Sequence, residues 1–246
     1  MPRKARQKSC SGFVHVIVRG IGKQILFEET SDYLFFLSIL KKNAPENNII
    51  ICAYCMMDNH VHLLLFDEEQ HLPVFMKKIG VSYAVYYNQK YQRIGHVFQD
   101  RYKSEVVETS ASLLRVFRYI LKNPEKAGIC PAAEYRWSSF YCFGRSDTFV
   151  DTSAAAGLIG GWEEYVRFLQ ADDHDQCMEY TLARKTDEEA KEIIRRIGLS
   201  SGTSVQSFSR EDRNTVIEIM LQEGLSVRQI ERLTGISRGI IQRLKR

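Results

Sequence analysis

The chain has 246 residues, 44% of them hydrophobic, and its 34 Lys and Arg against 30 Asp and Glu leave a formal net charge of +4. Such a length supports a sizeable core, as one large domain or a domain with an appendage, and so mild a basic excess does not by itself diagnose nucleic-acid binding. Six scattered cysteines exclude a small disulfide framework, and the absence of a membrane-length apolar stretch or a signal-peptide core points to a cytoplasmic protein with reduced thiols.

In chain order, a basic start (Arg3, Lys4, Arg6, Lys8) leads into a predicted strand from Gly12 to Arg19 and a Gly20-Ile21-Gly22 turn. A helix is expected from Ser31 to Lys42, with Tyr33, Phe36, Leu37 and Leu40 on one face. After Pro45-Glu46-Asn47-Asn48 the run Ile49 to Phe66 reads as a buried strand, interrupted by His60 and His62. Strand side chains alternate, so these histidines share one face, and two neutral imidazoles side by side make half of a metal site. The same alternation places Cys52 and Cys55 on opposite faces, which favours buried free thiols over structural zinc.

The next predicted helix, Leu72 to Tyr91, carries Phe75, Ile79, Tyr83 and Tyr86 at helical spacing, and a Gly95-centred loop with Arg93 and Arg101 leads to a strand from Tyr102 to Glu108 that holds Lys103. Thr109-Ser110-Ala111-Ser112 caps a further helix, expected to stop at Asn123-Pro124 because proline disfavours helix in the residue before it. Its apolar face is Leu113, Val116, Phe117, Ile120 and Leu121, which leaves Arg115, Arg118, Tyr119, Lys122 and Asn123 opposite. Arg115, Tyr119 and Asn123 are spaced by four and form one stripe: a phenol among cations, suited to attack on a phosphate that a metal polarises. The element order suggests a split α+β sheet with helices on one face, and no phosphate-binding glycine loop supports nucleotide-triphosphate chemistry.

Beyond Arg145 the chain becomes helical, over Trp162 to Leu169 and Met178 to Ile197, with Ala171 to Asp175 as a solvated loop and Ser200 to Ser204 as a linker. Then Ser209 to Asp212 starts a helix, Ser226 caps Val227 to Leu233, Gly235 makes a turn and Ser237 caps Arg238 to Lys245. This resembles a helix-turn-helix whose Arg238, Gln242 and Arg243 could read base edges in a major groove; the plainer reading is a closing helical bundle.

Several segments resemble the single-tyrosine HUH transposases, the insertion-sequence-200-like family, and especially the REP-associated tyrosine transposases. They are Pro2-Arg3 with Phe13-Val14-His15-Val16 and Arg19-Gly20, then Asp58-Asn59-His60-Val61-His62, then Gly95-His96-Val97-Phe98-Gln99 through Arg101-Tyr102-Lys103-Ser104, and last Tyr119-Ile120-Leu121-Lys122-Asn123-Pro124. The resemblance spans about residues 2 to 143 and keeps the family's order. It implies a ferredoxin-like domain with an antiparallel sheet that nicks single-stranded or hairpin DNA. It further implies a divalent ion, Mg or Mn, held by His60, His62 and Asn123, where family members more often cited carry Gln at the third place, and a Tyr119 nucleophile that forms a 5′-phosphotyrosine bond and releases a 3′-OH. Tyr83, Tyr86, Tyr87, Tyr91 and Tyr102 compete for that role on sequence alone. Arg93, Arg101, Lys103, Arg115 and Lys122 are candidate DNA contacts, whereas His15 reads as structural or as a support for a ligand.

The expected organisation is a catalytic domain over 1–145, a helical connector over 146–200 and a duplex-binding helix-turn-helix over 201–246. The family branch implies a monomer, with dimers possible. Alternatives are another HUH enzyme, a relaxase or replication initiator, using the same residues, and a domesticated DNA-binding regulator with an idle site.

Overall fold

A computed structural model describes residues 8–171, 177–178, 187–199 and 201–244. The expectations for Pro2-Arg3 and the other basic residues before Lys8, for Asp172 to Asp175, for the 179–186 part of the helix expected from Met178 to Ile197, for Ser200 and for Lys245 and Arg246 fall outside them. The chain forms two compact units, residues 1–180 and 181–246.

The first unit is built on strands β1 (Phe13–Arg19), β2 (Ile50–Met56), β3 (His60–Phe66) and β4 (Lys103–Val106), with helices α1 (Thr30–Glu46) between β1 and β2 and α2 (Leu72–Lys90) between β3 and β4. The sheet order is β2-β3-β1-β4 and every neighbouring pair is antiparallel. That is the ferredoxin-like split βαβ arrangement, with β3 lying between β1 and β2.

The expected single strand over 49–66 is instead a hairpin, closed where the Met57 amide donates to the His60 carbonyl at 2.8 Å. Asp58-Asn59 is a turn pair inside an otherwise apolar run, and its signal outweighs the run's continuity. A register shift between Ile51 and Ala53 bulges β2. The bulge cancels the odd spacing, so Cys52 and Cys55 both pack into the core on the same side of the sheet, as buried free thiols. The outer edge of β2 is covered rather than bare: Met56 donates to Trp137, Ser139 to Tyr54 and Asp151 to Ile51, at 2.8 to 3.0 Å.

Helices cover both faces, not one. Val14, Val16, Val18, Val61, Leu63 and Leu65 pack against Phe36 and Leu40 of α1 and Phe75, Ile79 and Tyr83 of α2. On the other face α3 (Ser110–Leu121) lies across Ala53, Cys55 and Leu64, and α5 (Ser153–Ile159) and α6 (Trp162–Gln170) pack against it through Ala155, Tyr165 and Leu169. The first part of the stretch expected as a connector thus builds the core of the first unit. Thr109 caps α3, its hydroxyl accepting from the Ser112 amide at 3.1 Å. Pro124 does not simply end the helix; after Lys122 the chain enters a single further turn, α4 (Asn123–Lys126), with Pro124 in its first positions. Pro45 is likewise tolerated inside the last turn of α1, which runs four residues past the expected Lys42.

The second unit contains α7 (Asp187–Arg196), α8 (Arg210–Gln222), α9 (Val227–Thr234) and α10 (Arg238–Leu244), around Ile194, Val205, Ile217, Met220, Ile230 and Ile241. Ser226 and Gln229 form a capping box at the start of α9. Gly235 ends α9 at φ +72, a left-handed conformation that glycine adopts without a Cβ penalty. Among the described residues no helix is long and apolar enough to cross a membrane.

The joint between α1 and α2 rests on Asp32, which is 0% exposed. Its carboxylate accepts from the Glu28 and Glu29 amides, the Tyr86 and Tyr91 hydroxyls and Lys90 Nζ, at 2.6 to 2.9 Å. Burial alone would raise its pKa, but the bonds from Lys90, Tyr91, the Glu29 backbone and Tyr86 outweigh burial and hold it below the usual carboxylate value. A depressed carboxylate stabilises the fold above its unfolded pKa, about 4, and the benefit is lost as pH falls through the folded value. Asp32→Ala should therefore destabilise the first unit by about 3 kcal/mol at neutral pH, because it strands two phenols and two backbone amides and leaves Lys90 only Glu29 as a carboxylate partner. In urea unfolding, the gap between this variant and the parent should narrow as pH drops below about 4; a gap independent of pH would contradict the role.

Candidate active site

The site begins with strand register. On β1 and β3, Arg19 sits opposite His60, Ile17 opposite His62 and His15 opposite Leu64. Alternation then points His15, Arg19, His60 and His62 toward α3, the face on which Tyr119 is carried. The His60 and His62 rings lie 5.0 Å apart at 78°, and the Tyr119 ring stands 5.5 Å from His62, nearly perpendicular to it. Arg19, His60, His62, Tyr119, Asn123, Lys126 and Ala127 line one cavity of about 220 Å3.

Tyr119 is not on an outer basic face as the helical pattern suggested; it is 3% exposed and part of the core against the sheet. Because α3 is packed by the sheet on one side and by α5 and α6 on another, more than its apolar stripe is buried. Arg115, four residues earlier, remains exposed, whereas Asn123 turns inward and its amide Nδ2 donates to the Tyr119 carbonyl at 3.2 Å. The competing tyrosines of α2 are otherwise engaged: Tyr83 donates to the Leu26 carbonyl, Tyr87 to the Ile25 carbonyl at 2.9 Å, and Tyr86 and Tyr91 to Asp32.

Burial sets the protonation of the histidines. It pushes His60 down to about 4, helped by the Arg19 charge, and His15 down to about 3. His62 is held well below the ordinary value by burial first, then by repulsion from His15, His60 and Arg19. All three rings are therefore neutral near pH 7, which is the state that offers lone pairs to a cation. His60 Nδ1 donates to Asn59 Oδ1 at 2.7 Å, which puts the lone pair of the neutral ring on Nε2. His62 Nδ1 is hydrogen-bonded to His15 Nε2 at 3.1 Å, so its Nε2 is the ring atom left for a ligand. The side chain of Asn123 contacts His60. Two neutral imidazoles with their second nitrogens fixed, beside an amide, form a donor set that fits a divalent ion. Among the described residues no group of three or more His, Cys, Asp and Glu side chains adds to it.

Of the residues the sequence nominated, His60, His62, Tyr119 and Asn123 come together. Arg93 and Arg101 lie on the loop after α2, Arg93 over the Tyr87 ring at 5.6 Å, and neither lines the cavity. Lys103, half-buried, stands opposite Ile17 on β4, and Lys122 pairs with Glu125 at 3.7 Å. In the second unit Gln242 and Arg243 are exposed on α10, and Arg238 bonds Glu231 at 2.6 Å. Two charged lining residues carried no assigned role from sequence. Arg19 was legible only as part of a motif, and its place follows from its register opposite His60. Lys126, with Nζ 4.5 Å from the centre of the Tyr119 ring, had no sequence signal beyond lying seven residues after the tyrosine.

Residues 9–123 match the family profile described as "Transposase IS200 like". No curated protein matches the chain. Among solved structures, a REP-associated tyrosine transposase bound to a REP hairpin aligns with TM-score 0.50 and 16% identity, over 63% of this chain and 96% of that one. A protein of Deinococcus radiodurans R1 described as a candidate transposase aligns at TM-score 0.34 and 23% identity, over 46% of this chain and 91% of that one. The first of these shares the fold, and the profile covers the segments that carry both histidines, Tyr119 and Asn123. Residues 9–123 thus match the IS200-like transposase family, and the chain shares the fold of a REP-associated tyrosine transposase.

Proposed function

We propose that the chain is a metal-dependent DNA strand transferase that uses Tyr119 as nucleophile. The observation that carries this reading is the convergence of Tyr119 with His60, His62 and Asn123 on one cavity. His60, His62 and Asn123 would hold a divalent ion, Mg or Mn, which when bound supplies Lewis-acid polarisation of a phosphoryl oxygen. Tyr119, at 3% exposure, does not reach out to DNA, so the scissile phosphate enters the cavity. There Tyr119 Oη attacks phosphorus: an Oη–P bond forms, the P–O3′ bond breaks, the phenolic proton passes to solvent and the departing 3′-oxygen takes one up. A second 3′-OH later reverses the exchange and joins strands without ATP, because the phosphotyrosine retains the bond energy.

The substrate of this reading is single-stranded or hairpin DNA, by analogy with the hairpin that the structural neighbour binds. Arg93, Arg101, Lys103, Arg115 and Lys122 would contact its phosphates. The second unit would add a helix-turn-helix formed by α9, the Gly235-Ile236-Ser237 turn and α10, with Arg238, Gln242 and Arg243 facing duplex DNA.

With labelled hairpin DNA from sequence flanking the gene and Mn, the wild type should give a denaturant-resistant protein–DNA band that Tyr119→Phe lacks while retaining DNA affinity; a band in the variant assigns the nucleophile elsewhere. His60→Ala should lose the metal-dependent cleavage, and cleavage unchanged by EDTA would remove the ion from the reaction. His15→Phe keeps the packing but removes the bond to His62, so Mn affinity should fall about 10- to 100-fold with the melting temperature nearly unchanged. Replacing Arg238, Gln242 and Arg243 together by Ala should weaken duplex binding and flatten its salt dependence by roughly one unit of slope for each phosphate no longer neutralised, with nicking of a short single strand retained.

A further inference from the structure

The end of the chain is basic with one exception. From Leu225 onward it carries Arg228, Arg232, Arg238, Arg243, Lys245 and Arg246, and a single acid, Glu231. That acid, on α9, is joined to the first residue of α10: Arg238 Nε donates to Glu231 Oε2 at 3.0 Å and Arg238 Nη2 to the same oxygen at 2.6 Å. Arg238 stays half-exposed and makes no other hydrogen bond among the described residues. Ile240, Ile241 and Leu244 pack inward, which leaves Arg238, Gly239, Gln242 and Arg243 as the exposed ridge of α10. A Cβ at Gly239 would meet nothing within 4 Å. Glycine inside a helix is destabilising relative to alanine, and no neighbour among the described residues requires it there.

An exposed ion pair of this kind adds little to stability, and an acid on a surface that meets DNA repels phosphate. The geometry gives it another use. A guanidinium has two edges that can make paired hydrogen bonds. Glu231 takes the Nε–Nη2 edge of Arg238, and the Nη1–Nη2 edge remains, with two parallel N–H groups spaced to meet guanine O6 and N7. Arginine is long and rotamer-rich, so a carboxylate on one edge removes freedom before the base arrives and fixes where the other edge points. In a helix-turn-helix the first residues of the second helix meet base edges, which is the place of Arg238 in α10. The bare backbone at Gly239 lets α10 approach a groove closely between Arg238 and the Gln242-Arg243 pair.

We propose that Arg238 reads a guanine in duplex DNA through its Nη1–Nη2 edge, with Glu231 as its positioning residue and Gly239 as the clearance beside it. The inference rests on the helix-turn-helix reading and adds to it the base that is read and the residue that aims the arginine. It gives Glu231 opposite signs on two kinds of DNA. The carboxylate weakens binding to any duplex by repelling phosphates, and strengthens binding to a duplex that places guanine before Arg238. A salt bridge that only joined α9 to α10 would not separate the two.

The full chain, carrying Tyr119→Phe so that no cleavage intervenes, can be used to select from duplexes with a randomised segment, and the selected duplex then titrated with each base pair exchanged in turn. One G·C pair should emerge whose exchange for A·T weakens binding by roughly 5- to 150-fold, the range for a bidentate contact. Replacing that guanine by 7-deazaguanine, which lacks the N7 acceptor, should weaken binding in part. Arg238→Ala should bind the G·C and A·T duplexes alike. Glu231→Gln should bind unselected duplex at least as well as its parent and the selected one worse, losing roughly fivefold or more of discrimination with the melting temperature nearly unchanged. Gly239→Ala should weaken duplex binding without lowering the melting temperature, and affinity unchanged by it removes the clearance role. If Glu231→Gln tightens both duplexes by the same factor, the acid acts through charge alone and the proposal is overturned. A selected duplex read through Gln242 and Arg243 but indifferent to Arg238→Ala overturns it while keeping the helix-turn-helix reading. No enriched duplex, or one bound equally well by the Arg238→Ala/Gln242→Ala/Arg243→Ala protein, overturns both.

Discussion

The antiparallel pairing of β1 with β3 is the constraint on which the rest depends. One residue of slip would send His15, Arg19, His60 and His62 to different faces, since side chains alternate along a strand. The register is fixed by the other face: Val14, Val16 and Val18 of β1 and Val61, Leu63 and Leu65 of β3 are packed against α1 and α2. The hydrophobic core on one side of the sheet therefore locates the polar chemistry on the other. That core is pinned in turn by Asp32, whose buried carboxylate ties the start of α1 to the last turn of α2.

Burying histidines on a covered sheet face has a cost and a chemical return. His15 Nδ1 is buried without a hydrogen-bond partner, a loss of about 1 to 3 kcal/mol for such a group. In exchange its Nε2 fixes the ring of His62, and the dry surroundings keep the imidazoles neutral. A solvent-exposed pair would titrate close to pH 6.5 and lose ligand character in mild acid. The same desolvation that keeps the ring lone pairs unprotonated leaves one of the nitrogens orphaned.

The common face of His60 and His62 was legible because period-two spacing carries directional information, whereas their meeting with Tyr119 was implied by the family resemblance and not by spacing. What the sequence could not convey was what covers each element. The helix pattern at 110–121 expected one covered face, yet α3 is covered on two: Tyr119 turns to the sheet, its ring beside His15 and His62, while Phe117 of the apolar stripe packs on Tyr165 of α6. Helices on both faces of the sheet escaped for the same reason: a strand buried on one face and one buried on two differ by few residues when the polar residues on the second face are histidines. The β2 bulge shifted Cys52 and Cys55 to a common side, and no residue in Ile50–Met56 marks a bulge as a glycine would.

The break after α3 explains why Lys126 belongs to the site at all. In an unbroken helix seven residues span about 10.5 Å along the axis, so a lysine there would project two turns beyond the tyrosine. Lys122 instead leaves helical backbone at φ −86, ψ 4, and Pro124, with no amide hydrogen to continue the ladder, starts a separate turn. That turn still hydrogen-bonds back, Lys126 to Lys122 at 3.0 Å and Ala127 to Asn123 at 3.0 Å, so it is a fixed platform. It carries Asn123 at one end and Lys126 at the other, both facing the cavity that Tyr119 enters from α3. The proline that reads in sequence as a terminator thus places a neutral donor and a cation around the tyrosine, on one rigid turn.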